Sequence, residues 1–253
     1  MAPHVNHNQS THMILDIHTH HPAPQPDGVI NVSPGDALLE GQRYSAGIHP
    51  WTTLAAPSPE LLGELERICS LPAVVAVGEC GVDIARGGPL FRQLQVLKAH
   101  IELSERLGKP LILHEVKAHD IILGLRRDMQ PAQPWVVHGF RGKPQVAEML
   151  LHGGLWLSFG ARFNPESLAK ALEAGKALVE TDDSPQSIDE VVALLSQSAG
   201  RDLRPVLAAS AARFLSFPLN GMRPHRAAKG SPFLTLPSDS SLARGAYFFM
   251  SER

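Results

Sequence analysis

Residues 108–114 read GKPLILH, and the reading of this stretch decides the fold. A glycine readily takes the left-handed conformation that ends helices, and a proline soon after it cannot continue one. The run that follows is apolar without alternation until it reaches His114, as a strand buried on both faces requires. Upstream, residues 90–107 carry the spacing of an amphipathic helix. The unit is therefore a helix, a stop, a buried strand and a histidine at the strand's carboxyl end.

The unit recurs along the chain. Apolar runs at 14–18, 28–32, 44–49, 73–79, 110–114, 135–140, 155–160 and 177–182 give eight expected strands. Amphipathic segments at 59–70, 90–107, 117–129, 143–152, 166–174 and 188–197 fall between the later ones. This alternation predicts an α/β protein with a (β/α)8, TIM-type barrel, an open doubly wound sheet being the other arrangement of such units. Residues 19–27 and 34–43 are too short for full crossover helices, so the barrel is expected to be irregular on that side. A last helix through 209–214 is placed to cover the barrel. Residues 13–218 read as the barrel domain. Residues 1–12, with His4, His7 and His12 among polar residues of no period, read as a disordered leader or the remnant of a tag. Residues 219–253 lose periodicity and read as a poorly ordered extension.

Composition narrows the class. At 253 residues, 43% hydrophobic and 19% charged, the chain can bury one barrel-sized core. Cys69 and Cys80 are the only cysteines, which excludes a disulfide framework and a cysteine-rich zinc site. A formal net charge of −2 offers no global basic field, so a nucleic-acid substrate has to be held by a local patch or by metal ions. No apolar run approaches membrane-spanning length and no charged-then-apolar leader is present, so a cytoplasmic address is expected, with no membrane and no obligate protein partner.

The ends of the strands carry the chemistry. The first closes in DIHTHH, residues 16–21, where alternation puts Asp16, His18 and His20 on one face. Glu79 closes the fourth strand, His114 the fifth, His138 the sixth and Asp182 the eighth. The same alternation groups Val75, Val77 and Glu79, Ile112 and His114, Val136 and His138, and Leu178, Glu180 and Asp182. In a barrel, inward residues at the carboxyl ends of the strands meet at one mouth. Four imidazoles and two carboxylates converging there are costly without a counter-ion. Their mix suits first-row ions such as zinc or manganese and is wrong for a calcium cage. One ion is saturated by about four to six ligands, so a pair of ions about 3.5–4 Å apart, bridged by a carboxylate, is the economical reading.

The ordered set DIHTH, AGIHPW, AVGECGVD, the FRQL of 91–94, LILHEVKA, VVHGFRG, LSFG and LVETDDS resembles the TatD family of metal-dependent hydrolases, among the amidohydrolase-like barrels, over about residues 13–218. The resemblance implies hydrolysis, often of DNA, assisted by two divalent ions (zinc, manganese or magnesium). It implies His18, His20, Glu79, His114, His138 and Asp182 as metal ligands, with Glu79 as the bridge. The chain departs from the family pattern at three places. His114-Glu115-Val116-Lys117 displaces by one residue the cation of the usual His-x-Arg, His-Gly-Phe-Arg-Gly adds Arg141 near the mouth, and Asp183-Ser184-Pro185 replaces the common Ala-Pro. These departures mark a compact branch with a substrate of its own.

The leading functional expectation is a deoxyribonuclease, of 3'-5' exonuclease type, with catalytic Asp182 as general base and Glu79 beside it. The alternative is hydrolysis of a small ester, lactone or amide on the same groups. A metal-free binding scaffold would require a broken ligand set. His49, Lys117 and Arg141 are the expected substrate contacts, Lys as a point charge and Arg as a bidentate fork for phosphate. Cys80 is expected to be a packed thiol, Glu180 and Asp16 to orient imidazoles from one layer below, and Trp51 to be either a base-stacking residue or a loop anchor. His119, His152 and His225 are expected at the surface.

Overall fold

The computed structural model describes residues 13–216. The expected leader and extension lie outside the described residues. Eight parallel strands pair in sequence order and close into a barrel: β1 (Asp16–Thr19), β2 (Gly28–Val32), β3 (Arg43–Ala46), β4 (Val74–Asp83), β5 (Leu111–Val116), β6 (Trp135–Val137), β7 (Trp156–Phe159) and β8 (Ala177–Val179). The connections 20–27 and 33–42 carry no helix. From β3 onward the crossovers are helical: α1 (Pro59–Cys69), α2 (Leu90–Leu107), α3 (His119–Met129), α4 (Pro144–His152), α5 (Pro165–Glu173) and α6 (Ile188–Ala199), with α7 (Arg204–Leu215) at the end.

Helix boundaries follow local chemistry. Ser58 accepts from the Leu61 N–H to start α1, and Ser187 forms a reciprocal capping box with Glu190 at α6. Gly108 ends α2 in the left-handed conformation, as the sequence predicts. Among the described residues no helix is long and apolar enough to cross a membrane.

Two apolar clusters divide the core. The larger lies between strands and helices. The smaller takes Ile17, Ala76, Ile112, Val136, Trp156 and Leu178, one from each of six strands, and fills the barrel interior. Phe214 of α7 packs against Trp156, the first residue of β7, with ring centroids 5.7 Å apart, and so closes the amino-terminal end of the barrel. That leaves the opposite end for chemistry.

The interior cluster corrects two assignments made by simple alternation. On β4 the inward residue at the floor is Ala76, while Val77 packs outward, so Val75, Val77 and Glu79 do not share a face. The pairing of β4 with β5 shifts between Val77 and Cys80, and this irregularity lets Glu79 turn inward. On β1 Ile17 is the interior residue, and the pairing with β2 shifts between Asp16 and Thr19. Strand ends also move: β3 stops at Ala46, before His49, and β4 runs on through Asp83.

Candidate metal centre

Glu79 is the hub. Its carboxylate is 3% exposed and its two oxygens face different histidines. Oε1 lies 2.7 Å from His138 Nε2, 2.8 Å from His114 Nδ1 and 3.2 Å from His49 Nε2. Oε2 lies 3.4 Å from His20 Nε2 and 3.5 Å from His18 Nε2. Asp182 Oδ1 stands on that second side, 3.8 Å from His18 and 3.7 Å from His20. All six side chains expected as ligands thus meet at one mouth, joined by His49.

The backbone around Glu79 is built for close approach. Its N–H donates to Asn31 Oδ1 at 2.8 Å, and Asn31 also accepts from Ser45 Oγ at 3.0 Å. Gly78 has φ of +129°, and a Cβ there would sit 2.4 Å from the Ile112 carbonyl oxygen. Asp182 is a non-glycine residue at φ +55°, pinned between two ladder bonds: its N–H donates to His18 O, and its carbonyl accepts from the His20 N–H.

Two further carboxylates aim the imidazoles. His138 Nδ1 faces fully buried Glu180 Oε1 at 3.2 Å, and His114 Nε2 faces Asp83 Oδ2 at 3.1 Å. If those nitrogens carry the protons, the lone pairs of His138 Nε2 and His114 Nδ1 point at the same oxygen of Glu79. Acceptors turned on one oxygen at such distances need a proton or a cation between them. His18 makes the point again: it is fully buried, and among the described residues neither ring nitrogen has a hydrogen-bond partner. Among the described residues three groups have ligand atoms all within 4.8 Å of one another: His18, His20 and Glu79; His18, His138 and Asp182; His49, Glu79 and His114. The donor set fits divalent first-row ions.

Electrostatics agree with the layout. Burial pushes the Glu79 carboxyl up, but the imidazoles around it, His114 and His138 foremost, outweigh burial and hold it well below the usual carboxylate range. Burial likewise disfavours charge on His138, yet Glu180 and Glu79 raise it well above an ordinary histidine. Asp182 is raised, chiefly by burial and then by the charge of Glu180.

Other expectations resolve differently. His49 does not end a strand. It caps the short 3-10 turn Pro50–Thr52 by accepting from the Trp51 N–H, and its other nitrogen faces Glu79. Gly47, just past the end of β3, runs close against β4: a Cβ there would lie 2.4 Å from Glu79 O. Arg141 lines a cleft of about 440 Å3 together with Arg162, Asp182 and Ser184. Lys117 is exposed, at φ +55°, beyond the end of β5. Glu180 orients an imidazole, whereas Asp16 does not: it accepts from Thr181 Oγ1 at 2.6 Å, Thr181 N and His18 N, tying β1 to the segment after β8. Cys80 is fully buried with its thiol raised well above the usual range by burial, as befits a packed residue. His119 and His152 lie at or near the surface, and His225 is outside the described residues.

Asp83, Asn31 and His100 escaped the sequence reading. Asp83 lay inside the quoted AVGECGVD motif, but a strand ending at Glu79 gave it no place in the mouth. His100 sits on α2, fully buried, accepting from the Ile48 N–H at 2.9 Å and facing Val96 O at 2.8 Å, so it holds the segment that carries His49. No local pattern distinguishes it.

Comparison with known proteins agrees with this fold. The chain is 33% identical over 147 residues to the 3'-5' ssDNA/RNA exonuclease TatD of Erwinia billingiae, covering 54% of this chain and 56% of that protein. It is 35% identical over 159 residues to the uncharacterized metal-dependent hydrolase YjjV of Escherichia coli, covering 58% of this chain and 61% of that protein. It thus spans a little over half the length of these curated relatives. The crystal structure of Escherichia coli YjjV shares the fold, with TM-score 0.67 at 20% identity over 82% of this chain and all of that one. A TatD family hydrolase from Entamoeba histolytica does so with TM-score 0.64 at 14% identity, over 81% and 98%. The sequence profile described as TatD related DNase matches residues 39–226, and the chain belongs to that family.

Proposed function

We propose that the protein is a divalent-metal-dependent nuclease that cleaves phosphodiester bonds in unpaired DNA, from the 3' end, at the mouth of the barrel. The observation that carries the reading is the division of Glu79, one oxygen toward His18, His20 and Asp182 and the other toward His49, His114 and His138. Such a carboxylate suits a bridge between two ions, one on each side. Zinc, manganese or magnesium held there would polarise the phosphate and bring the pKa of a water toward roughly 7. Asp182 stands beside the first group, only partly buried, in position to accept the proton of the attacking water. Glu180 and Asp83 hold the rings of His138 and His114 in the required orientation. Arg141 and Arg162 both line the cleft that contains Asp182. Neither makes an ion pair or hydrogen bond among the described residues, so both guanidiniums are free to fork onto phosphate. Lys117, exposed beyond β5, adds a point charge.

The relative from Erwinia billingiae supports a nucleic-acid substrate by name, as a 3'-5' ssDNA/RNA exonuclease. A second reading, hydrolysis of a small ester, lactone or amide, is favoured by the cleft beside Asp182, whose volume of about 440 Å3 matches a small-molecule site. The deciding experiment measures metal content and turnover of a single-stranded oligonucleotide for Asp182→Asn and Glu79→Gln. Asp182→Asn is expected to keep its metal and lose about 10²–10⁴-fold in rate, the usual worth of a general base. Glu79→Gln is expected to lose metal as well. Undiminished turnover in metal-replete Asp182→Asn refutes the assignment of the base. A wild-type protein that leaves DNA intact with every ion but cleaves a neutral ester selects the second reading.

A further inference from the structure

The exposed apolar side chains are not scattered evenly. Of the eight large ones among the described residues, Trp51, Leu54, Ile84, Leu90 and Phe91 lie on the two segments that leave β3 and β4 at the mouth end. These segments are held together. Gly88 N–H donates to Pro50 O at 3.2 Å, and a Cβ at Gly88 would strike Thr53 O at 2.4 Å. Trp51 Nε1 donates to Asp83 Oδ2 at 2.6 Å.

Two aromatic rings in this patch each carry a cation. The Arg86 guanidinium lies 3.8 Å from the ring centroid of Trp51, and that of Arg92 lies 4.6 Å from the ring of Phe91. Among the described residues neither arginine makes an ion pair with an acid, and Arg92 Nη1 donates to Gln95 Oε1 at 2.9 Å. Trp51 is also continuous with the centre: its ring meets His49 and His114 edge-on at 4.6 and 5.7 Å, and its indole N–H shares the Asp83 oxygen that faces His114.

Large apolar faces exposed near a site mark an interaction surface. Here the aromatic faces are interleaved with guanidiniums that no acid among the described residues neutralises, the combination that binds single strands by stacking bases and neutralising the phosphates between them. We propose that these two segments form a track for unpaired nucleic acid, with Trp51 and Phe91 stacking bases and Arg86 and Arg92 holding the adjoining phosphates, so that the strand passes Trp51 to reach the cluster. The proposal rests on the nuclease reading above. A second copy of the chain is the competing occupant, but a homodimer through this face would bring the guanidiniums of both copies into one interface, where the two segments offer no exposed acid, Asp83 being buried.

Trp51 supplies a direct probe, because the other two tryptophans, Trp135 and Trp156, are buried. The full chain, with chelator present to prevent cleavage, is titrated with an oligothymidylate of about 12 nucleotides, a length within the range bound by single-strand sites. Quenching of indole fluorescence is expected, absent in Trp51→Phe. Phe91→Ser and Arg92→Gln should each raise the half-saturation concentration, Phe91→Ser by about 5–50-fold, the scale of one lost base stack. With metal restored, Phe91→Ser should raise KM for the oligonucleotide in proportion and leave hydrolysis of bis(p-nitrophenyl) phosphate unchanged. Wild-type affinity in both variants overturns the proposal. So does an absence of quenching together with a sedimenting dimer that Phe91→Ser dissolves, which gives the face to a second copy. Quenching and weakened variants without any cleavage by the metal-loaded wild type uphold the track and sink the nuclease reading alone.

Discussion

A single buried histidine away from the centre sets a measurable acid limit. His100 is fully buried, and burial lowers its pKa to about 4, against which its contact with Val96 O acts only weakly. In the unfolded chain it titrates near the ordinary value of about 6.5. The folded form therefore binds the proton less well, and the stability it contributes is complete above about pH 6.5 and drains as pH falls toward about 4. Integrated over that window the loss is at most about 3 kcal/mol. Glutamine can accept from Ile48 N–H and donate to Val96 O but cannot titrate. We expect urea unfolding of His100→Gln to show a shallower fall in stability between pH 6.5 and 4 than the wild type. Superimposable slopes would show that His100 is not held neutral. The six residues that meet at the mouth, by contrast, were legible as a group because each is a histidine or acid at or near the end of an apolar run. His100 was not, because one histidine on a helix has no partner in the sequence to betray it.

At the scale of the element, β4 is where the chain spends its unusual geometry. Its ten residues from Val74 to Asp83 switch the inward side between Ala76 and Glu79, and Gly78 sits at the switch. An alanine there meets the Ile112 carbonyl and a φ of +129° that side chains rarely adopt. Gly78→Ala is expected to cost about 1–3 kcal/mol and to weaken metal binding, since Glu79 follows directly. Gly63, inside α1 with open space around its Cα, is the control: Gly63→Ala should stabilise by about 0.5–1 kcal/mol. Denaturant midpoints read both, and equal effects of the two substitutions would remove the special status of position 78. Strand existence was readable from apolar runs and glycine-proline stops. The switch was not, because period-two reasoning has no term for a shifted register, and Asp83 was lost with it.

For the molecule as a whole, the order of strands and their closure into a barrel were legible, because eight buried runs alternating with helices admit few closures. The plugging of the other end by Phe214 was only partly so, since the sequence places a last helix without saying which ring enters the barrel. The connections 20–27 and 33–42, which lack helices, have a consequence in time. Strands backed by helices open only when much else opens, whereas a strand flanked by loops can part from its neighbours locally. The backbone amides of β2 should exchange with deuterium well ahead of those in β5 to β7, and the Asn31 side chain that grips the Glu79 amide belongs to that faster side. Uniform protection around the ring, measured by native-state exchange, would contradict this. The barrel is closed in space but unequal in tempo, and its hub is moored to the quicker wall.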